Sequence, residues 1–176
     1  TTLDLSSGAQ QAADYARISL TQRVPTLVDG DFSLSESSAI TEYLDEVYPG
    51  QALYPADSRS RALARQVQGW LRSDLLPIRA ERSALVLFYA PSPTPLSAEA
   101  ERAAEKLFSA ASACLSHGGP YLCGEQWCIA DVDLALMLNR LVRNGDPVPA
   151  HLVRYATQQW QRPSVQLWLS QPRPSL

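Results

Sequence analysis

Long apolar runs, plentiful cysteine and an excess of positive charge are all missing from this 176-residue chain. Crossing a bilayer as a helix takes a run of about eighteen or more apolar residues, and none occurs. The opening residues lack a basic region followed by an apolar stretch, so they do not read as a signal peptide. A net charge of −3, with no basic stripe and no interleaved aromatics, argues against a nucleic-acid surface. The only cysteines are Cys114, Cys123 and Cys128. An odd number in a chain of this length points away from a disulfide framework and toward a reducing cytoplasm. Cys123 and Cys128 with His117 match no zinc spacing and lack a fourth ligand, so no metal is expected. Neither of these cysteines has a histidine or arginine close by in sequence to lower its pKa, so a cysteine nucleophile is disfavoured too. His151 stands alone before an amphipathic stretch and reads as a surface or capping residue. No Ser-His-Asp order, phosphate loop or HExxH motif is present.

What is there is a globular composition, 45% apolar, in a chain long enough to bury about 70% of its unfolded surface. The most informative segment is Arg23-Val24-Pro25, followed by Glu36-Ser37-Ser38. Val24 must be extended, because the following proline ring excludes the α region. With a cis Val24–Pro25 bond the chain would turn sharply and expose the Val24 N–H and C=O, offering an extended peptide a strand-like edge. The run Ser35-Glu36-Ser37-Ser38 would open a helix whose free N–H groups and positive dipole end suit a carboxylate. Between the two lies Thr26 to Leu34, which reads as strand, tight Asp29-Gly30 turn, strand. Ala39, Ile40, Tyr43, Leu44 and Val47 then fall at helical spacing and would bury one face. The same pattern is equally compatible with a plain hairpin and a well-capped helix that bind nothing.

The remainder is helical in pattern. Leu63, Val67, Trp70, Leu71, Asp74, Leu75 and Ile78 follow one stripe, which Pro77 would kink. Pro91-Ser92-Pro93-Thr94-Pro95 must be a loop. Ser97 opens a helix with Ala100, Ala103, Ala104, Leu107, Phe108, Ala111 and Leu115 on one side, ended by Gly118-Gly119-Pro120. Cys128 occupies a helix N-cap position, with Asp131 three residues on and with Trp127 and Val132 placed to form a hydrophobic staple. Asp133 reads either as a buried, hydrogen-bonded carboxylate or as a solvent-facing charge. Leu134 to Val142 is strongly apolar and is expected at a core. Val148–Trp160 and Ser164–Leu169 supply two further helices, and Pro172 and Pro174 mark a frayed end.

The run from Arg23 to Leu44 resembles the second half of the thioredoxin-like domain of glutathione S-transferases. Leu53-Tyr54-Pro55-Ala56-Asp57 is similar to that family's linker, and Trp127 to Leu134 to its capping motif on a central helix. Trp70-Leu71-Arg72-Ser73-Asp74-Leu75 and Gln159-Trp160-Gln161-Arg162 look similar to a bacterial branch typified by the YfcF protein. The resemblance implies an α/β plus all-α fold: a partial thioredoxin-like domain over 1–50, a linker over 51–57 and an all-helical domain over 58–176. It implies glutathione as co-substrate, held by the backbone of Val24, by Pro25 as the cis proline, by Glu36 on the γ-glutamyl ammonium and by Ser37 on its carboxylate. Ser38 is a weaker candidate for that carboxylate. Thr1 to Leu5 would correspond to the family's second strand. The thiol-activating serine, tyrosine or cysteine would then lie upstream of Thr1, and Ser6 and Ser7 would not fill that role. A small-molecule electrophile would lie against the long kinked helix, with Trp70, Arg72, Asp74, Arg79 and Arg82 as candidate wall residues. A cytoplasmic homodimer is expected by analogy. The implied activity is glutathione transfer. A non-catalytic binding or regulatory protein and a glutathione-dependent isomerase are the alternatives on the same fold.

Overall fold

The computed structural model describes residues 2–5 and 7–173, so Ser6 and Pro174 lie outside the described residues. The chain divides into two compact units, Thr1–Tyr54 and Pro55–Leu176.

In the first unit, a short 3₁₀ turn over Ala9–Gln11 leads into a one-turn helix α1 (Ala13–Ala16), neither of which has a clear periodic signal in the sequence. Strands β1 (Thr26–Asp29) and β2 (Phe32–Ser35) pair antiparallel, with Thr26 opposite Ser35 and Asp29 opposite Phe32. The connecting residues are therefore Gly30 and Asp31. Gly30 has φ 62, and glycine in the first central position is the preference of a two-residue type II′ hairpin. The tight turn expected at Asp29-Gly30 is thus shifted by one residue. Helix α2 follows over Ser37–Val47. Of its expected apolar face only Ile40 is buried, while Val47 is 51% exposed. A ladder of two four-residue strands offers too little surface to cover a three-turn helix. Asp29 anchors the far end of the hairpin, accepting hydrogen bonds from the Tyr43 and Tyr48 hydroxyls at 2.7 Å each.

The strand expected at the start of the chain is not formed. Among the described residues the sheet contains β1 and β2 alone, and Leu3 to Leu5 pair with neither. A strand exists only as a partner in a ladder, so an apolar segment without a facing edge stays irregular.

The second unit is helical throughout. Helix α3 (Ser58–Ser73) is capped by Asp57, whose carboxylate accepts from the Ser60 N–H at 2.8 Å. Its buried stripe continues into the next helix as Ala64, Gln68, Leu71, Leu75 and Ile78. Leu63, expected on that stripe, is 55% exposed. The proline does more than kink the helix. Asp74 ends α3, and a separate α4 (Leu76–Glu81) starts with Pro77 in its first turn, where the missing N–H costs nothing. Short α5 (Leu85–Phe88) and the proline-rich loop lead to α6 (Ala98–Cys114). Ser97 caps α6 and also binds Glu81, its N–H at 2.8 Å and its hydroxyl at 2.5 Å from the carboxylate. After α6 the chain turns tightly. A Cβ on Gly119 would lie 2.8 Å from the Gly124 carbonyl oxygen, so only glycine fits there.

Helix α7 (Ile129–Val142) is the centre of this unit, with Leu134, Ala135, Leu138 and Leu141 almost fully buried. It packs on α8 (Ala150–Trp160), and the Asn139 side chain donates to the carbonyls of Ala135 and Ala156 at 2.8 and 3.2 Å. Helix α9 (Pro163–Leu169) closes the unit. Among the described residues no helix is long and apolar enough to cross a membrane.

Candidate functional site

The hairpin register brings together the two segments singled out in the sequence. Thr26 faces Ser35 at the open end of the ladder, so Pro25 and Glu36 directly flank its last pair, with Val24 and Ser37 one residue further out on each segment. The Val24–Pro25 peptide is cis, as the resemblance implied. Val24 is 45% exposed, and among the described residues no backbone hydrogen bond involves its N–H or C=O. Two surface depressions of about 670 and 530 Å³ border this loop, and Val24 lines both.

The other half of the site is the start of α2. Glu36 stands at its N-cap with φ 77 and ψ 114, and its own side chain makes no cap hydrogen bond. The N–H ends of the first turn and the positive end of the dipole lie at this end of the helix. Ser37 is the first helical residue and is partly buried, while the Glu36 carboxylate is exposed. Among the described residues only Gln22 (φ 52) and Glu36 (φ 77) have positive φ without being glycine. Both belong to this site, one on each side. Such conformations cost of order 1–3 kcal/mol each and persist only where the surroundings over-determine them.

Those surroundings are a group of hydroxyls that sequence reading did not anticipate. The Tyr15 hydroxyl donates to the Arg23 carbonyl at 3.0 Å and lies 2.8 Å from Thr26 Oγ1. Thr26 Oγ1 is in turn 2.9 Å from Ser19 Oγ, which sits 3.0 Å from Ser35 Oγ. Ser19 is 1% exposed. Tyr15, Ser19 and Thr26 thus converge on one loop carbonyl, with Ser35 linked to it through Ser19. The available signal was only the density of Ser, Thr and Tyr around Arg23-Val24-Pro25.

The wall residues proposed on the second unit are largely occupied within it. Arg82 is 1% exposed and makes a two-pronged ion pair with Asp146 at 2.6 and 2.8 Å. A side chain so buried lines no substrate surface, so Arg82 is structural. Asp74 is bonded by Trp70 Nε1 and by Lys106 Nζ, which together hold its carboxyl below the usual carboxylate range, Lys106 contributing most. Arg79 donates to the Arg72 carbonyl at 3.0 Å. Asp133 accepts from Gln68 Nε2 at 2.6 Å with Arg72 at 3.7 Å, which places it in the hydrogen-bonded alternative. Burial outweighs both partners and raises its pKa.

The thiols are poor nucleophiles here. Cys128 is fully buried at the N-cap of α7 with its sulfur 3.9 Å from that of Cys123, and burial pushes both pKa values up. The expected reciprocal cap is present on its acidic side: the Asp131 carboxylate accepts from the Cys128 N–H at 2.9 Å. Asp131 also accepts from the Leu122 N–H at 2.8 Å and the Tyr155 hydroxyl at 2.7 Å, so it pins three segments at once. Val132 packs against Val86, Leu87, Trp160 and Val165, whereas Trp127 lies 4.0 Å beneath the Arg162 guanidinium.

Comparison with known proteins shows the family. Residues 57–172 match the family model described as glutathione S-transferase, C-terminal domain, and residues 1–46 that of the N-terminal domain. The chain is 30% identical to glutathione S-transferase Z2 of Arabidopsis thaliana, over 98% of this chain and 79% of that protein. A crystal structure of a glutathione transferase homologue from a Burkholderia (BGR1), with bound glutathione, is 50% identical with a TM-score of 0.75, covering 96% of this chain and 80% of that one. The maleylacetoacetate isomerase of Methylobacterium extorquens AM1, with bound malonate and glutathione, is 26% identical with a TM-score of 0.75, covering 99% and 87%. With both of its parts matched in order, the chain belongs to the glutathione S-transferase family.

Proposed function

We propose that this chain binds glutathione across the open end of the hairpin and serves a glutathione transferase reaction on a small electrophile. The observation that supports this reading is the register Thr26–Ser35, which ends the ladder one residue from Pro25 on one strand and from Glu36, the N-cap of α2, on the other. Val24 would pair with the cysteinyl residue through its backbone, with Pro25 holding the turn. Glu36 would meet the γ-glutamyl ammonium, and Ser37 with the α2 N–H groups would take its carboxylate. The chemistry supplied is positioning of a thiolate nucleophile. The hydroxyls of Tyr15, Thr26, Ser19 and Ser35 are engaged with one another and with Arg23. A homodimer remains the expected assembly by family analogy.

Ser37→Ala should weaken glutathione binding by about 1–3 kcal/mol in titration calorimetry. Unchanged affinity would discard the cradle. The likeness to an isomerase favours a second reading, in which the same cradle holds glutathione as a cofactor. The two differ in mass balance: a transferase consumes one glutathione per turnover, whereas an isomerase returns it. Following free thiol during turnover of a cis-configured dicarboxylic enone separates them.

A further inference from the structure

We propose that Tyr15, through the hydroxyl chain it heads, is a positioning residue that aims the Val24 N–H at the ligand; this rests on the glutathione reading above. The argument is one of peptide geometry. The Arg23 C=O and the Val24 N–H belong to a single planar amide and point in opposite directions across a trans bond. Among the described residues only the Val24–Pro25 bond is cis, so the Arg23–Val24 amide is trans. Whatever grips the Arg23 oxygen therefore sets the direction of the Val24 N–H.

Three hydroxyls crowd that oxygen: Tyr15 at 3.0 Å, Thr26 at 3.2 Å and Ser19 at 3.3 Å. A carbonyl oxygen accepts about two good hydrogen bonds, and Tyr15 makes the shortest of the three. The chain is anchored at its far end by Ser35, the last residue of β2 and next to Glu36. One hydroxyl relay thus ties the Val24 amide to the strand end that carries the other half of the site. It also supplies the constraint that Gln22 needs, two residues before Val24 at φ 52. Without the Tyr15 hydroxyl the oxygen would keep only its two longer contacts, from Thr26 and Ser19, and the amide plane would be held less firmly.

The test is glutathione titration of the isotopically labelled protein, reading the Val24 and Ser37 amide resonances alongside calorimetric affinity. In wild type both amides should shift on saturation. Tyr15→Phe should raise Kd about five- to tenfold, the loss of roughly one net hydrogen bond. Its Val24 response should shrink while the Ser37 response at saturation stays whole, a split that general unfolding would not produce. Thr26→Val should act the same way and Thr26→Ser should restore binding, which keeps the proposal testable if Tyr15→Phe fails to fold. Wild-type affinity in Tyr15→Phe and Thr26→Val, or equal loss of the Val24 and Ser37 responses, overturns it. If glutathione moves neither amide in wild type, the glutathione reading itself is wrong and the positioning role falls with it.

Discussion

The two units of this chain are held together by different forces. Among the described residues of Thr1–Tyr54 the buried side chains are Ser19, Ser35, Ile40 and Tyr54, two of them plain hydroxyls. In the helical unit the buried set is dominated by leucine and alanine on α3, α6, α7 and α8, with Ile78 on α4 and valines on α5 and α9. Apolar burial stabilises in proportion to area, at roughly 25 cal/mol per Å². Hydrogen bonds return little net energy but impose direction. The first unit is therefore knit by directed hydroxyl bonds, and the second by apolar packing. Its few buried polar groups serve as cross-links between elements far apart in sequence.

That contrast can be broken most forcefully at Arg82. Arg82→Ala leaves Asp146 without its partner in a nearly closed site, and should cost about 3–5 kcal/mol by chemical denaturation. A loss below about 1 kcal/mol would show that water satisfies the carboxylate and that the pair is not a structural cross-link.

Next comes Asp131→Ala, which strips the partner from two backbone N–H groups and from the Tyr155 hydroxyl. About 2–4 kcal/mol should be lost, since each buried donor left unpaired costs roughly 1–3 kcal/mol and they are not independent. A thermal melt equal to wild type would refute the three-way role.

Cys128→Ser should move stability the other way or not at all, by up to about 1 kcal/mol, because an oxygen accepts the helix N–H bond better than sulfur. A clear fall in Tm would mean that packing around the thiol outweighs the cap.

The smallest effect belongs to the first unit and is pH-dependent. Tyr48 and then Tyr43 donate to Asp29 and lower its pKa below 3.8. The unfolded chain thus binds more protons near that pH, and this stabilisation is present above about pH 4 and lost on acidification. The same bonds raise both tyrosine pKa values above 10.0, with Asp29 the leading cause. Their contribution is complete below pH 10 and fades as pH rises through the folded values. The double variant Tyr43→Phe/Tyr48→Phe should flatten both limbs of the stability profile. Identical profiles would exclude the clamp.

Much of this was legible from local pattern. The hairpin, the capped start of α6, the apolar run of α7 and the proline-rich loop follow from rules that act over a few residues. The Val24-Pro25 and Glu36-Ser37 segments were visible too, from the proline's constraint on Val24 and the helix-start pattern, but the register at their ends follows from a turn one residue later than Asp29-Gly30. Where local pattern misled, a partner was the deciding factor. Leu3 to Leu5 form no strand without a facing edge, and the stripe through Leu63 rotated so that Ala64 and Gln68 face inward.

The sequence by itself determined the hairpin and the helix after it, the start of α6, the apolar run of α7 and the two segments singled out at the candidate site. Periodicity and backbone stereochemistry encode those features within a span of ten residues or so. Only tertiary structure decided that Arg82 meets Asp146 across 64 positions, that Gln68 meets Asp133 across 65, and that Tyr15, Ser19 and Thr26 gather at one carbonyl with Ser35 behind Ser19. No periodic rule relates such residues. Their meeting follows from how whole elements pack, and a buried polar group is stable only where that packing supplies its partner.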